Sequence, residues 1–305
     1  MRIAWRTVAS TIARVWADTP SGLDALAGLT RIGIDEISYK RGHKYLTVVV
    51  DHDTGRLVWA HPGRDRATVR AFFDALESSG AGRCARITHV TADGALWISD
   101  VVSDRCPGAI RCADPFHVVG WATEALDAVR RQAWSDARRG GNTRSHGWIN
   151  GRRSTVSIGP ARALLRSRYA LWKNPENLTD RQRMKLRWIA STDPRLYRAY
   201  LLKEGLRTVF KLPVDQASDA LERWIQWARR SRIESFVTLQ RRIGVHREQI
   251  LAAIEHGLSN GLVESKNTKI HLLTRIAFGF VHPEALISLA MLNLGGHKPF
   301  LPERR

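Results

Sequence analysis

At 305 residues and 44% hydrophobic the chain can bury one large core or two modest ones, which excludes a disordered chain. Its 48 Lys and Arg against 29 Asp and Glu leave a net charge of +19, more than solubility needs; this points to an extended polyanion, nucleic acid first, over an evenly spread basic surface. Three cysteines (Cys84, Cys106, Cys112) with no C-x-x-C pair, no apolar stretch near the roughly 18 residues that span a bilayer and an N-terminus without a signal-peptide core exclude a disulfide framework, a zinc ribbon, a membrane partner and export, so a soluble cytoplasmic protein is expected.

Residues 1–30 read as a helical segment, with Val8, Ile12, Val15 and Trp16 at helical spacing, too short to form a domain alone. Strands are predicted at 31–38, 44–51 and 56–61. Asp51-His52-Asp53-Thr54-Gly55 joins the last two, so Asp51 and Asp53 are assigned to turn chemistry and not to a ligand set. An amphipathic helix follows from Asp65 to Leu76, then a strand at 86–92, a short helix from Trp97 to Val102 and a strand from Ala109 to Ala113. Three strands able to pair antiparallel, then helix, strand, helix, strand, give an α/β order with a mixed sheet, the order of the RNase H-like fold.

From about 117 to 256 strand signals nearly vanish and apolar residues recur at three and four, which predicts a helical block. Its tryptophans (Trp121, Trp134, Trp148, Trp172, Trp188, Trp224, Trp227) are expected mainly to fill its interior, with a minority open to stacking on unpaired bases. Between Ala137 and Lys173 stand nine Lys and Arg and no acid, a segment that repels itself unless it meets phosphates. Arg138, Arg139, Arg144, Arg152 and Arg153 are its candidate DNA contacts. Thr179 is the expected cap of a helix that follows the loop Asn174-Pro175-Glu176-Asn177-Leu178. The expected organisation is a helical segment at 1–30, an RNase H-like domain at 31–116 completed at 257–305, and an α-helical insertion at 117–256.

Three carboxylates stand out. Asp35 lies inside the apolar run Ile32 to Ile37, Asp93 ends the run Ile87 to Asp93, and Glu264 falls in a downstream helix. A carboxylate on a buried strand is costly unless a basic partner or a divalent metal compensates it. At about 100° per residue, His271 and Arg275 return to within roughly 20° of Glu264, with Asn267 and Thr268 flanking, while Ile270, Leu273, Ile276 and Ala277 fall on the opposite side. That stripe suits a metal site running into a phosphate track, and it equally suits an ordinary amphipathic surface helix. Lys266 projects toward the apolar side, where snorkelling accommodates it. Glu36 points away from Asp35 across the strand and is left out of the metal set.

Gly33-Ile34-Asp35-Glu36, Lys40 to Tyr45, Thr91-Ala92-Asp93-Gly94, Asp114-Pro115-Phe116-His117-Val118-Val119, Lys173 to Leu178, and Asn260-Gly261 through Glu264, Asn267, Lys269, Arg275 and Gly279-Phe280 together resemble the transposases of the ISL-three insertion-sequence family, from the first residues to about 295. The resemblance implies a DDE transposase with an RNase H-like mixed sheet, flanking helices and a large helical insertion, cutting and joining DNA at the ends of a mobile element. Asp35 and Asp93 match the family's aspartates and Glu264 its glutamate; Asp114 and His117 match an Asp-x-x-His element bordering the site. Family members usually carry an N-terminal zinc ribbon and helix-turn-helix, and this chain opens at what resembles the last helix of that region, as a truncated copy would. Ser265 stands where the family commonly has Gly, a small-for-small change expected to be tolerated.

Three oxygen donors favour Mg²⁺ or Mn²⁺ over zinc, as two ions about 3.5–4 Å apart that activate water or a DNA 3′-hydroxyl and stabilise the leaving oxygen. His117 is read either as orienting or protonating groups near the scissile phosphate or as packing at the end of the fifth strand. Asn267, Lys269 and Arg275 are candidate contacts to the DNA backbone. Two element ends must be brought together, so at least a homodimer is expected, nucleoid-associated when bound to DNA. Two other readings stand beside this one: a non-catalytic DNA-binding relic or regulator of the full-length transposase, and a structure-specific nuclease on the same fold.

Overall fold

Alternating apolar residues along the first third of the chain build one twisted sheet. The computed structural model describes residues 5–18, 24–140, 144–149, 152–157, 160–280 and 282–296, with the backbone alone at 5, 6, 96, 140, 144–149, 152–157 and 160. Helix α1 (Trp5–Asp18) precedes β1 (Arg31–Lys40), β2 (Lys44–Asp51) and β3 (Leu57–Pro62); then come α2 (Arg66–Ser78), β4 (His89–Ala92), α3 (Leu96–Arg105) and β5 (Ile110–Ala113). The strand order is β3-β2-β1-β4-β5, antiparallel from β3 to β1 and parallel from β1 through β4 to β5. This is the RNase H-like mixed sheet expected from the element order.

Local chemistry fixes the joints. The β1–β2 hairpin closes through Gly42 and His43, both left-handed at φ 84° and 58°. In the next turn the Asp51 carboxylate accepts from the Asp53 N–H at 3.0 Å and from the Thr54 hydroxyl, and Asp53 pairs with Arg31, so both aspartates are turn residues as read. Asp65 caps α2 by accepting the Thr68 N–H at 2.8 Å.

Each face of the sheet carries a core. Ile32, Ile34, Val49, Val58, Phe72, Phe73, Leu76, Val90, Val101 and Val102 fill the side covered by α2 and α3. Each such side chain contributes roughly 1.5–3 kcal/mol by leaving water. Cys84 and Cys106 belong to this core, and burial first pushes their thiols up to about 11 and about 12. Cys112 is buried too, and none of the three forms a disulfide.

By chain contacts the protein divides into two units, Met1–Phe116 with His256–Arg305, and His117–Glu255. Described by itself, the second holds the body of α4 (Pro115–Gly140), a hairpin of β6 (Arg144–Ile149) and β7 (Arg152–Ser157), and helices α5 (Pro160–Leu165), α6 (Arg168–Trp172), α7 (Asp180–Thr192), α8 (Pro194–Val209), α9 (Val214–Arg230), α10 (Glu234–Val245) and α11 (Arg247–His256). Thr179 caps α7 in a reciprocal capping box with Gln182, as its position predicts. Trp224 is buried with its indole N–H on the Leu202 carbonyl at 2.7 Å, whereas Trp121, Trp134 and Trp172 lie under the guanidinium groups of Arg242, Arg138 and Arg168 at 3.5, 4.9 and 3.8 Å from their ring centres. The β6–β7 hairpin departs from the all-helical reading of this stretch. Its strands carry arginines, a glycine and hydroxyl residues in place of apolar alternation, so the backbone ladder makes the pair without a periodic signal.

Helices α12 (Gly261–Ile276) and α13 (Pro283–Leu294) return to the first unit. Val263, Ile270, Leu286 and Met291 join Ile37, Leu46, Val48 and Val50 in the core of the other sheet face, where α1 packs on α13. Gly33 permits this approach: a Cβ there would stand 2.5 Å from the Val263 methyl and 2.9 Å from His52 Nε2. One expectation fails on α12. Ile276, assigned to the apolar side, is 67% exposed and Leu272 is 55% exposed, because the buried stripe runs through Val263 and Ile270 and stops before the helix ends.

Candidate functional site

The parallel registers put three aspartates in a row. Gly33 pairs with Thr91, so two residues further on Asp35 comes beside Asp93; Ala92 pairs with Ala113, so one residue further on Asp93 comes beside Asp114. Residues in register on parallel strands project to the same face. The row runs from the middle of β1 across the carboxyl ends of β4 and β5, on the face covered by α12.

Helix α12 supplies the facing groups. Glu264, in its first turn, brings a carboxylate oxygen within 4.8 Å of one from Asp114, which is 1% exposed. His117, three residues after Asp114 in the first turn of α4, brings a ring nitrogen within the same distance of the Asp114 carboxylate. Asn267, three residues on from Glu264, donates from Nδ2 to Asp35 Oδ2 at 2.8 Å, so α12 holds both ends of the row. The other Asp35 oxygen accepts the Glu36 N–H at 2.8 Å, and Asp93 Oδ1 accepts the Ala95 N–H at 2.9 Å at the entry to α3.

Under the row sits Asn260, with no exposed surface. Its Oδ1 accepts the Thr91 hydroxyl proton, its Nδ2 donates to the Ile34 carbonyl at 3.4 Å, and its backbone N–H donates to Asp114 Oδ1 at 3.1 Å. One residue thus ties β1, β4 and the end of β5 to the start of α12. The Thr91 hydroxyl, having given its proton to Asn260, accepts from His52 Nε2 at 2.7 Å, and burial first, then Arg31, lowers the His52 pKa and keeps that ring neutral. Sequence reasoning quoted Asn260 and Thr91 as motif residues and gave them no role. The signal was there in an asparagine at the position before a helix, whose side chain here turns into the core and makes no cap.

Glu36 faces the α2 side, with Arg64 Nε 3.1 Å from Oε2 and Oε1 buried without a partner. Burial first, then the charge of Asp93, push its carboxyl up to about 7, with Asp35 adding to the rise and Arg64 opposing it. The folded chain holds that proton more tightly than an unfolded chain titrating near 4.5, so in chelator stability should fall as pH rises from about 4.5 to about 7. Urea denaturation across that range should show the fall in the wild type and lose it in Glu36→Gln; an identical profile in the variant would assign the slope to other groups.

The residues expected to meet DNA are placed unevenly. Lys269 and Arg275 are exposed on α12. Asn267 is half-buried and committed to Asp35, so it supports a carboxylate where a phosphate contact was expected. Arg138 and Arg139 are exposed near the end of α4, the first over Trp134 and the second 3.7 Å from Asp136. Arg144, Arg152 and Arg153 lie in the β6–β7 hairpin, where only the backbone is described. Lys266 is half-buried with its pKa lowered by burial first and then by Lys269. No helix among the described residues is long and apolar enough to cross a membrane.

The donors fit a divalent hard cation. Those within ligand distance of one another are the carboxylates of Asp114 and Glu264 with the His117 imidazole, while Asp35 and Asp93 lie outside that group, and the orphaned, buried Oδ1 of Asn267 adds an unused acceptor beside Asp35. A cluster of like charges at one sheet edge is costly without a cation to offset it.

Over residues 32–290 the chain matches a family model described as a transposase, of the DDE ISL3 type. It is 64% identical over 309 residues to the transposase for insertion sequence element IS1557 of two Mycobacterium tuberculosis strains, an alignment spanning 100% of this chain and 69% of theirs. The transposase for IS1001 of Bordetella parapertussis is 29% identical over 253 residues, covering 82% of this chain and 57% of that protein. A solved Drosophila P element transposase strand transfer complex aligns over 95% of this chain and 92% of that one at a TM-score of 0.36 and 10% identity, too slight a likeness to argue from.

Proposed function

Since the chain belongs to the ISL3 family of transposases, we propose that it cleaves DNA at the ends of an insertion sequence and joins the freed strand to target DNA at the carboxylates Asp35, Asp93 and Glu264. The observation that carries this reading is the aspartate row across β1, β4 and β5, with Glu264 of α12 next to Asp114. The strand registers line up Asp35, Asp93 and Asp114, and the Glu264 carboxylate comes within 4.8 Å of that of Asp114.

Asp35, Asp93, Asp114 and Glu264 would hold Mg²⁺ or Mn²⁺, as two ions. Such ions, when bound, lower the pKa of water or a 3′-hydroxyl and offset charge on the leaving oxygen. The rest of the work falls to the chain. Asn267 fixes the Asp35 rotamer, Asn260 fixes the height of α12 over the strands, and His117 sits where a proton can pass to or from a group near Asp114. Lys269 and Arg275 lead away from Glu264 along α12 and supply phosphate contacts, to which the acid-free basic stretch containing Arg138, Arg139, Arg144, Arg152 and Arg153 adds. Two element ends held together call for at least a homodimer, active wherever chromosomal DNA lies.

Purified chain with labelled element-end DNA tests this directly. Cutting and joining should require Mg²⁺ or Mn²⁺, stop in chelator, and fall about a thousandfold in Glu264→Gln, the loss expected when several kcal/mol of charge stabilisation is removed. Binding without cutting under every metal condition would favour a DNA-binding regulator of the full-length transposase. Cutting without strand transfer and without regard to element ends would mark a structure-specific nuclease.

A further inference from the structure

Beyond Glu264, α12 does something unusual with its surface. From Ser265 to His282 there is no acidic residue, and Lys269, His271 and Arg275 are all exposed. Leu272 and Ile276 are exposed among them, and just past the helix end Phe278 is 100% exposed. That phenylalanine has a left-handed backbone, φ 54°, followed by Gly279 at φ 96°. A bulky side chain at positive φ is strained, and strain of this kind persists where the surroundings enforce it and clusters at functional positions. Here the turn sends Phe280 into the core at 5% exposure and Phe278 out into water.

A large ring held outward on a strained turn, at the end of a basic and acid-free helix, calls for a partner that is both anionic and flat-faced. A second copy of this chain meets that description poorly: self-complementary packing on the patch would oppose Lys269 and Arg275 to their own images. DNA meets it well, with phosphates for the cations and base faces for the ring. We propose that Phe278 is a base-stacking wedge that inserts into the DNA whose backbone lies on Lys269 and Arg275, which rests on the DNA-cutting function proposed above. Helix α12 runs about 18 Å from Glu264 to Ile276 at its regular rise, so the wedge meets the duplex roughly five base steps from the point of cleavage.

Duplexes carrying the element end, with 2-aminopurine at successive positions inward from the cleavage point, test the proposal on the full chain. The wild type should brighten the probe at one step near the fifth. Phe278→Ala should abolish that signal and weaken binding about tenfold with the slope of affinity against salt unchanged, because no phosphate contact is lost. Phe278→Trp should restore the signal. An equal 2-aminopurine response in Phe278→Ala and wild type, or no response anywhere in the wild type, overturns the wedge. So does loss of self-association in Phe278→Ala with DNA binding intact, which would make the patch a protein interface. Wild-type chain that unstacks the probe without cutting would leave the wedge standing and sink the nuclease reading; failure to bind DNA at all would sink both.

Discussion

Asp93→Asn should lower metal-dependent cleavage by about a thousandfold or more while the protein keeps its fold, because a neutral amide forfeits a ligand worth several kcal/mol in the transition state. The fold should survive for a local reason. Asp93 is half-buried and accepts the Ala95 N–H, a bond that an amide oxygen replaces. Asp114→Asn should be nearly as damaging to activity and equally silent in structure, since the amide oxygen still accepts from Asn260 and Phe116. A further sign distinguishes these variants from structural lesions. In chelator, removing one charge from a row of like charges should raise the melting temperature, whereas in Mg²⁺ the stabilisation that the wild type gains from bound ion should shrink. Melting curves with and without metal check this, and a variant destabilised in both conditions would make Asp93 a structural carboxylate.

Asn260→Ala should cost roughly 2–4 kcal/mol of stability and most of the cleavage activity, although Asn260 lies beneath the carboxylates and would touch neither metal nor DNA. The alanine takes from the Thr91 hydroxyl its acceptor and from the Ile34 carbonyl the Asn260 amide, each worth about 1–3 kcal/mol, and opens a void between sheet and helix. Its backbone N–H still reaches Asp114, so position 260 would keep one of its three bonds to the strands. Urea denaturation should also reveal coupling: Thr91→Val with Asn260→Ala should cost less than the two singles together, since removing both partners strands fewer polar groups. Strict additivity would show that the bond in question stabilises neither residue. Asn260→Asp is the sharper control for activity, because it keeps an acceptor for Thr91, loses the donor to Ile34, and sets a negative charge against Asp114.

Much of the sheet was readable in the chain because its strands alternate or run apolar between turn signals. The expected strands at 31–38, 44–51 and 56–61 correspond to Arg31–Lys40, Lys44–Asp51 and Leu57–Pro62, and the parallel pairing of β1 with β4 follows from the element order. What the sequence could not supply was register across strands far apart in the chain. The element order already sets Asp35 opposite Asp93, with Glu264 closing from the helix; what emerges only in three dimensions is Asp114, read as bordering the site, whose carboxylate lies within 4.8 Å of that of Glu264. Helical azimuth failed for a related reason. It orders side chains around α12 but does not say where the core beneath the helix ends, so Ile276 was placed inside and Asn267 outside. The β6–β7 hairpin left no trace because its residues do not alternate polar with apolar.

The span of the bonds that close the site has a bearing on when it can exist. Asn260 is 169 residues from the Thr91 it anchors, and Asn267 is 232 residues from Asp35. Contacts of such sequence separation form late, after the entropy of closing long loops has been met. On the ribosome the three aspartates emerge on the order of ten seconds before α12 does, at ordinary rates of synthesis. Until then Glu264, Asn260 and Asn267 are absent together, so a nascent chain carries an open, unsupported edge of carboxylates. Translation itself acts as a safety catch: the groups that would arm the chain against DNA are made well after the aspartates they complete.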